Sequence, residues 1–285
     1  MAKILIVHGI SNQYGGAGQL HAAWYPALCD GLDRFHNSPK PSPQDCYCPF
    51  YGHLFRPAGA LSGGSSQVDL QDMSDDELQL VEEVWKAATL IDDQVPGPNA
   101  PRQTLIYAPR MAERAAAALA KSKYLADYIP LQFFGDLRQV ILYLNNAAIR
   151  ANILDCVVPN ITSETRVVIG HSLGSVIAYE AVASKPEQVI ELVTLGSPLG
   201  IRNVVFDKLT PKPDPKTGRG RWPGSVQHWT NIAAKGDIVA AEKQLAPLFD
   251  PTVNDFYVDS GWDAHSSTRY LNSFDAGQAI ARGLA

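Results

Sequence analysis

Long hydrophobic runs are absent from this chain of 285 residues, although 46% of its residues are hydrophobic. A helix that crosses a bilayer needs about 20 predominantly apolar residues in succession, so we expect no transmembrane segment. The amino-terminal stretch MAKILIVHG has only the short aliphatic run ILIV and lacks a small-residue cleavage site, so it does not resemble a signal peptide. We therefore expect a cytoplasmic protein.

Cysteine is scarce, with four residues at Cys29, Cys46, Cys48 and Cys156. No C-x-x-C pair occurs, and Cys46 and Cys48 are too close together for the usual zinc-binding spacing. Four cysteines could form two disulfides, but nothing else in the sequence suggests secretion. We expect free thiols and no metal site.

Positive charge is also in short supply, since 24 basic and 29 acidic residues give a net charge of −5 at pH 7. Nothing general therefore draws the chain to nucleic acid or to an anionic membrane. The one basic stretch, residues 212–221 (KPDPKTGRGR), is rich in proline and glycine and is typical of a solvated loop, with phosphate binding as the alternative.

The chain does contain short aliphatic strands that alternate with helices, most regularly beyond residue 160. The predicted strands are 3–8, 44–51, 166–170, 188–195, 226–234 and 253–259. The predicted helices are 19–36, one capped by Ser74 and Glu77, 102–126, 130–157, 173–184, 200–209 and 268–284. This alternation predicts an α/β fold with a mostly parallel sheet flanked by helices. The helical stretch 68–126 interrupts it, which favours an insertion within one domain.

The segment RVVIGHSLGSVIAYE places a Gly-x-Ser-x-Gly pentapeptide between a strand and a helix. At such a turn a nucleophilic serine projects from the sheet, and small residues two positions either side let strand and helix approach. Gly170 and Gly174 occupy those positions around Ser172. The alternative interpretation is a surface serine in a glycine-bounded turn.

A serine nucleophile needs a base, and His265 is the best placed of the seven histidines. It falls in the loop GWDAHSS after the last predicted strand, from which it could reach Ser172. His171 adjoins the serine, but the sharp turn should aim its ring away. His8 ends the first strand, and His228 lies mid-strand, where a histidine is usually a satisfied core residue.

An imidazole base needs a carboxylate to fix its tautomer. Asp237 is the favoured candidate because it follows a predicted strand through a Lys-Gly turn, at the same edge of the sheet. Asp207 is second, and Asp259 and Asp263 are further rivals close to the histidine. Two backbone N–H groups, of Leu173 and of Ile10 in the His-Gly-Ile stretch, could bind a developing oxyanion.

Five segments together make the sequence similar to the α/β-hydrolase superfamily: VHGI (7–10), GHSLGS (170–175), LGSPLG (195–200), KGDIVA (235–240) and DAH (263–265). The resemblance is nearest to lipase- and esterase-like serine hydrolases. It implies an acyl-enzyme mechanism with Ser172 as nucleophile, His265 as base and Asp237 as orienting acid. The N–H groups of Ile10 and Leu173 would form the oxyanion hole, and no cofactor would be needed.

The chain between Gly9 and Ser172 is longer than the intervening helices and strand require. We place the excess in residues 55–126 and expect a helical lid within a single domain spanning 1–285. Its apolar residues should pack on the body or wall an acyl pocket: Leu78, Val81, Trp85, Leu105, Ile106 and Tyr107.

The expected substrate is a small-molecule or lipid-like carboxylic ester with an apolar acyl or alcohol group. A thioesterase, an acyltransferase or cyclase, or a peptidase would use the same residues and stays open. A non-catalytic binding protein on a hydrolase fold is the alternative from another class.

Overall fold

The computed structural model describes residues 2–35, 40–56, 70, 72–98, 111–124, 130–259, 261 and 263–285. The predicted lid residues Leu105, Ile106 and Tyr107 lie outside these ranges. Leu78, Val81 and Trp85 lie inside them and contribute to one core cluster of the protein.

The centre of the fold is a six-stranded sheet in which every neighbouring pair is parallel. The strands are β1 (Ile4–Val7), β2 (Cys46–Tyr47), β3 (Val167–His171), β4 (Glu191–Leu195), β5 (His228–Ala234) and β6 (Asn254–Val258). Their order is β2-β1-β3-β4-β5-β6. This confirms the predicted α/β architecture, which is consistent with an α/β-hydrolase-like fold.

Helices cover both faces of the sheet. They are α1 (Ala17–Arg34), α2 (Asp75–Ile91), α3 (Met111–Leu119), α4 (Pro130–Asn145), α5 (Ala147–Val157), α6 (Leu173–Ala183), α7 (Ser267–Leu271) and α8 (Phe274–Leu284). Because strand side chains alternate between faces, Ile4 and Ile6 pack with α1, α7 and α8, whereas Leu5 and Val7 pack with α2 to α6. None of the helices in the described ranges is long and apolar enough to span a membrane.

Two long predicted helices are each divided in the structure. The stretch 130–157 breaks at Asn146, whose side chain accepts a hydrogen bond from the N–H of Ile149. The stretch 268–284 breaks before Ser273, whose hydroxyl accepts one from the N–H of Ala276. Asn and Ser are favoured helix N-caps, so each starts a new helix although the apolar spacing continues.

Three smaller expectations were also wrong. Of the stretch 200–209, only residues 206–208 form a helical turn, of the tighter 3₁₀ type. The strand expected over 44–51 pairs only at Cys46–Tyr47, since a 3₁₀ turn occupies residues 43–45. His228 is the exposed first residue of β5 rather than a core residue.

The order of the strands creates a crevice between β1 and β3. The chain runs from β1 outward to β2, and then returns to place β3 on the other side of β1. Ligands of open α/β sheets bind outside the carboxyl ends of the strands at such a switch point. The loop after β1 and the turn after β3 both open onto this crevice.

We expect Gly31→Ala to destabilise the fold, because α1 packs directly on the backbone around α7. A Cβ at Gly31 would lie 2.1 Å from the carbonyl oxygen of Leu271. The clash should lower the free energy of unfolding by about 1–3 kcal/mol, measured by urea denaturation. Gly18→Ala, in the same helix with nothing within 4 Å, is the matched control and should be neutral or stabilising. Equal effects of the two substitutions would contradict this account.

Candidate active site

Ser172 occupies a sharp turn between the end of β3 and the start of α6. Its φ of 54° and ψ of −130° are rare for a residue other than glycine. A Cβ at Gly170 would lie 2.5 Å from the carbonyl oxygen of Gly174, and one at Gly174 would lie 2.2 Å from that of Val7. The strand and the helix therefore approach as closely as the pentapeptide predicts.

Hydrogen bonds of two serine hydroxyls stabilise this turn. The Ser175 hydroxyl lies 2.6 Å from both the carbonyl oxygen of Ser172 and the hydroxyl of Ser197. Ser197 Oγ also accepts a hydrogen bond from the N–H of Leu199 at 3.2 Å. The LGSPLG segment is thus connected to the turn that holds Ser172.

His265, whose side chain is partly exposed, pairs with the fully buried Asp237 next to this turn. The Nδ1 of His265 donates to Oδ2 of Asp237 at 2.7 Å, and Oδ1 accepts from the N–H groups of Val239 and Ala240. Burial acts to raise the pKa of Asp237, but the attraction of His265 and Lys243 and the hydrogen bonds outweigh it, so the pKa lies well below its usual range. Asp237 therefore stays ionised and keeps the proton of His265 on Nδ1, which leaves Nε2 able to accept a proton.

Tyr270 of α7 is a third partner of the carboxylate that the sequence did not identify. Its hydroxyl donates to Oδ2 of Asp237 at 2.7 Å and accepts from the N–H of Ala234 at 2.7 Å. Burial and the nearby negative charge raise the pKa of this phenol well above its usual value, so it keeps its proton. A buried tyrosine hydroxyl normally finds a partner, but the sequence does not say which one.

Gly196, at the end of β4, makes room for the pair. Its φ is +54°, in the left-handed region, and a Cβ there would lie 2.7 Å from Asp237 Oδ2 and 3.1 Å from His265 Nδ1. The glycine of the LGSP segment is therefore required both by its backbone conformation and by the space beside it.

His171 supports the loop that carries His265. Its Nε2 donates to the backbone carbonyl of His265 at 2.9 Å, and the two rings lie 4.7 Å apart. Burial is the main cause that lowers the pKa of His171 to about 3, so it stays neutral at neutral pH. His171, the histidine nearest to Ser172 in sequence, is thus hydrogen-bonded to the backbone of His265.

The two predicted oxyanion donors flank Ser172. The N–H of Leu173 is one of the first N–H groups of α6, which find no partner within a helix and form its positive end. Ile10 follows Gly9, where a Cβ would lie 2.7 Å from that of Ser172. Among the described residues, no backbone carbonyl accepts from the N–H of Ile10 or of Leu173.

These groups meet at a cavity of about 280 Å³ that Ser172, His265, Asp237 and Ile10 line. Its wall also includes apolar and aromatic side chains, among them Trp24, Tyr124, Phe133, Ile238 and Val239. The Oγ of Ser172 and the Nε2 of His265 are both buried, and neither has a hydrogen-bond partner in the described part of the chain. Within the described residues, the hydroxyl and the imidazole nitrogen are therefore both available to a bound molecule.

The rival aspartates have other partners. Asp207 accepts a hydrogen bond from the N–H of Asn203 at 2.5 Å, and Asp263 pairs with Arg269 at 3.5 Å. Asp259 accepts from the N–H two residues further on. The structure brings Asp237, and none of these three, into hydrogen-bond contact with His265.

Comparisons with protein-family models, with curated proteins and with solved structures found no match. The four cysteines are free thiols. Within the described ranges, no group of three His, Cys, Asp or Glu side chains is arranged to hold a metal ion.

We expect the stability of the protein to fall as the pH drops from 7 to 5, because His8 and His171 are buried and neutral. Burial is the main cause that lowers the pKa of His8 to about 4 and that of His171 to about 3, from 6.5. Between pH 6.5 and these values the unfolded chain binds protons that the folded protein does not. Each histidine should cost about 2 kcal/mol of unfolding free energy between pH 7 and pH 5.

Urea denaturation at both pH values measures the effect. His171→Gln should lose less stability on acidification than the wild type, whereas the exposed-site control His228→Gln should lose as much. An identical pH dependence in all three proteins would contradict the assignment.

Proposed function

We propose that the protein hydrolyses carboxylic esters through an acyl-enzyme intermediate on Ser172. The observation that carries this proposal is a pair of buried atoms at one cavity, Ser172 Oγ and His265 Nε2, which have no hydrogen-bond partner among the described residues. The imidazole is oriented by a buried carboxylate on its other nitrogen, which is the arrangement a serine nucleophile needs.

In the proposed reaction, Ser172 Oγ attacks the ester carbonyl carbon while His265 Nε2 takes the hydroxyl proton. The two atoms approach to hydrogen-bond distance when substrate is bound. The carbonyl oxygen becomes an oxyanion held by the N–H groups of Ile10 and Leu173, and Asp237 stabilises the imidazolium. His265 then protonates the leaving alcohol as the carbon–oxygen bond breaks. Water, deprotonated by the same nitrogen, then attacks the acyl-enzyme. The nitrogen returns that proton to Ser172 Oγ as the bond between the acyl carbon and the serine oxygen breaks and the acid leaves.

The walls of the cavity support an apolar group on one side of the ester bond. Trp24 and Phe133 are buried, and they contribute apolar surface next to the site together with Ile238 and Val239. Burial of each methylene contributes about 0.8 kcal/mol, so affinity should rise with chain length until the cavity is filled.

Fluorophosphonate labelling tests the nucleophile. Such a probe phosphonylates an activated serine, so the wild type should be labelled and Ser172→Ala should not. Ser184→Ala, an exposed serine just beyond the same helix, is the control and should be labelled like the wild type. Labelling of Ser172→Ala would contradict the assignment of Ser172 as the nucleophile.

A series of p-nitrophenyl esters of increasing acyl length then tests the reaction. The wild type should release p-nitrophenol and the free acid, at a rate that rises and then falls with chain length. Product analysis with added alcohols and amines separates hydrolysis from acyl transfer. A dominant acylated acceptor at low acceptor concentration would replace the hydrolase assignment with a transferase.

Asp237→Asn should lower kcat by about 10³- to 10⁴-fold, because an amide no longer holds the proton of His265 on Nδ1. KM should change little, since the Asp237 side chain is fully buried and is engaged with His265 and Tyr270. Steady-state kinetics on the best ester measures both constants. Asp207→Asn is the control, because Asp207 accepts a local backbone hydrogen bond from Asn203 and does not line the cavity, and it should retain full turnover. A greater loss in Asp207→Asn would reverse the roles of the two aspartates.

A further inference from the structure

Asn12 lies two residues beyond Ile10 in the loop between β1 and α1, and its side chain holds the backbone of that loop. Its Nδ2 donates to the carbonyl oxygens of Gly9 at 3.1 Å and of Ile10 at 2.8 Å. Since both partners are acceptors, the amide presents its NH₂ group and can give one hydrogen to each. Asn12 also lines the cavity that contains Ser172.

The bond to the Gly9 carbonyl fixes the direction of the Ile10 N–H. A peptide unit is planar and trans, so its C=O and its N–H point in opposite directions. The same carbonyl accepts a second hydrogen bond, from Nδ1 of His8 at 2.8 Å. Turning this peptide over would break both bonds and aim a carbonyl oxygen where an N–H now points.

The proton on His8 Nδ1 is itself fixed. The other ring nitrogen, Nε2, accepts from the N–H of Tyr51 at 3.4 Å, and the two rings stack with centroids 3.9 Å apart. Burial lowers the pKa of His8 to about 4, so the ring remains neutral with its proton on Nδ1 through the neutral range.

This peptide needs support because of where it lies. Gly9 must be glycine, since a Cβ there would lie 2.7 Å from the Cβ of Ser172, and a glycine restrains its own peptide least of all residues. On its other side Ser11 has a positive φ of 65°. The Gly9–Ile10 peptide therefore depends on side chains for its orientation.

The geometry points to Asn12 as the positioning residue of the oxyanion hole: it holds the carbonyls of Gly9 and Ile10, and so keeps the Ile10 N–H directed at the oxygen that becomes negative. This role rests on the proposed function, because it concerns the tetrahedral intermediate on Ser172. Asn12 does not touch the reacting atoms and acts only through Ile10.

The test is Asn12→Asp, which keeps the size of the side chain but replaces the donating NH₂ with an oxygen that repels both carbonyls. Asn160→Asp is the matched control, because Asn160 Nδ2 donates to a backbone carbonyl, that of Cys156, at 2.8 Å outside the cavity. Relative to this control, kcat on the best p-nitrophenyl ester should fall about 10- to 100-fold with KM within about threefold, because the lost interaction belongs to the transition state.

A trifluoromethyl ketone provides a readout that a merely structural role would not move. It forms a tetrahedral oxyanion adduct with the serine, so its inhibition constant should rise by the same factor as kcat falls. The affinity for a non-hydrolysable amide with the same acyl chain should stay within about threefold, because the amide has no oxyanion. Urea denaturation checks the fold, and Asn12→Ala, which adds no charge, decides the question if Asn12→Asp does not fold.

Turnover and ketone affinity that match those of Asn160→Asp would overturn the positioning role. A fall in kcat without an equal loss of ketone affinity would overturn it too, since the defect would then lie outside the oxyanion hole. If fluorophosphonate does not label the wild type and the wild type hydrolyses no ester, the proposed function is wrong, and the positioning role is wrong with it. The two kinds of failure are distinguishable, because a failure of the positioning role appears only in the Asn12 variant, whereas a failure of the proposed function appears in the wild type.

Discussion

The buried negative charge of Asp237 is the constraint on which the arrangement at the carboxyl edge of the sheet depends. A carboxylate in an apolar interior is costly unless hydrogen bonds and a positive partner compensate for the lost water. Its partners come from separate elements: two N–H groups of its own loop, His265 from the loop after β6, and Tyr270 from α7. Gly196, directly after β4, leaves the space in which they meet. The charge thus requires three consecutive strand ends to be in register.

A second, independent constraint acts on the other side of the cavity. Ser172 holds an unfavourable backbone conformation, which persists only where the surrounding packing over-determines it. That packing is the contact of Gly174 with the backbone of β1 and the hydroxyl pair of Ser175 and Ser197. Neither contact uses a hydrogen bond to Ser172 Oγ, and the hydroxyl has no partner in the part of the chain that the structure describes.

Sequence reasoning succeeded where a signal was local. Gly-x-Ser-x-Gly after a strand predicted the turn at Ser172, and parallel strands bring the loops that hold Asp237 and His265 to one edge. It failed where tertiary contacts choose the partner. Tyr270 is one tyrosine of 11, and no local pattern says that its hydroxyl reaches a carboxylate. The divided helix at Asn146 had a local signal, an N-cap residue, but continuous apolar spacing obscured it.

The division of labour in the cavity follows from these contacts. The polar groups are carried by loops at strand ends, whose positions the sheet fixes by its hydrogen-bonded register. Part of the apolar wall comes from Tyr124, in the turn after α3, and from Phe133 of α4. Tyr124 packs so tightly on Gly236 that a Cβ there would lie 2.4 Å from its ring. Substitutions of Tyr124 or Phe133 can therefore reshape the wall while Asp237, the residue after Gly236, keeps its partners. Under the proposed mechanism, acyl preference can change separately from the chemical step.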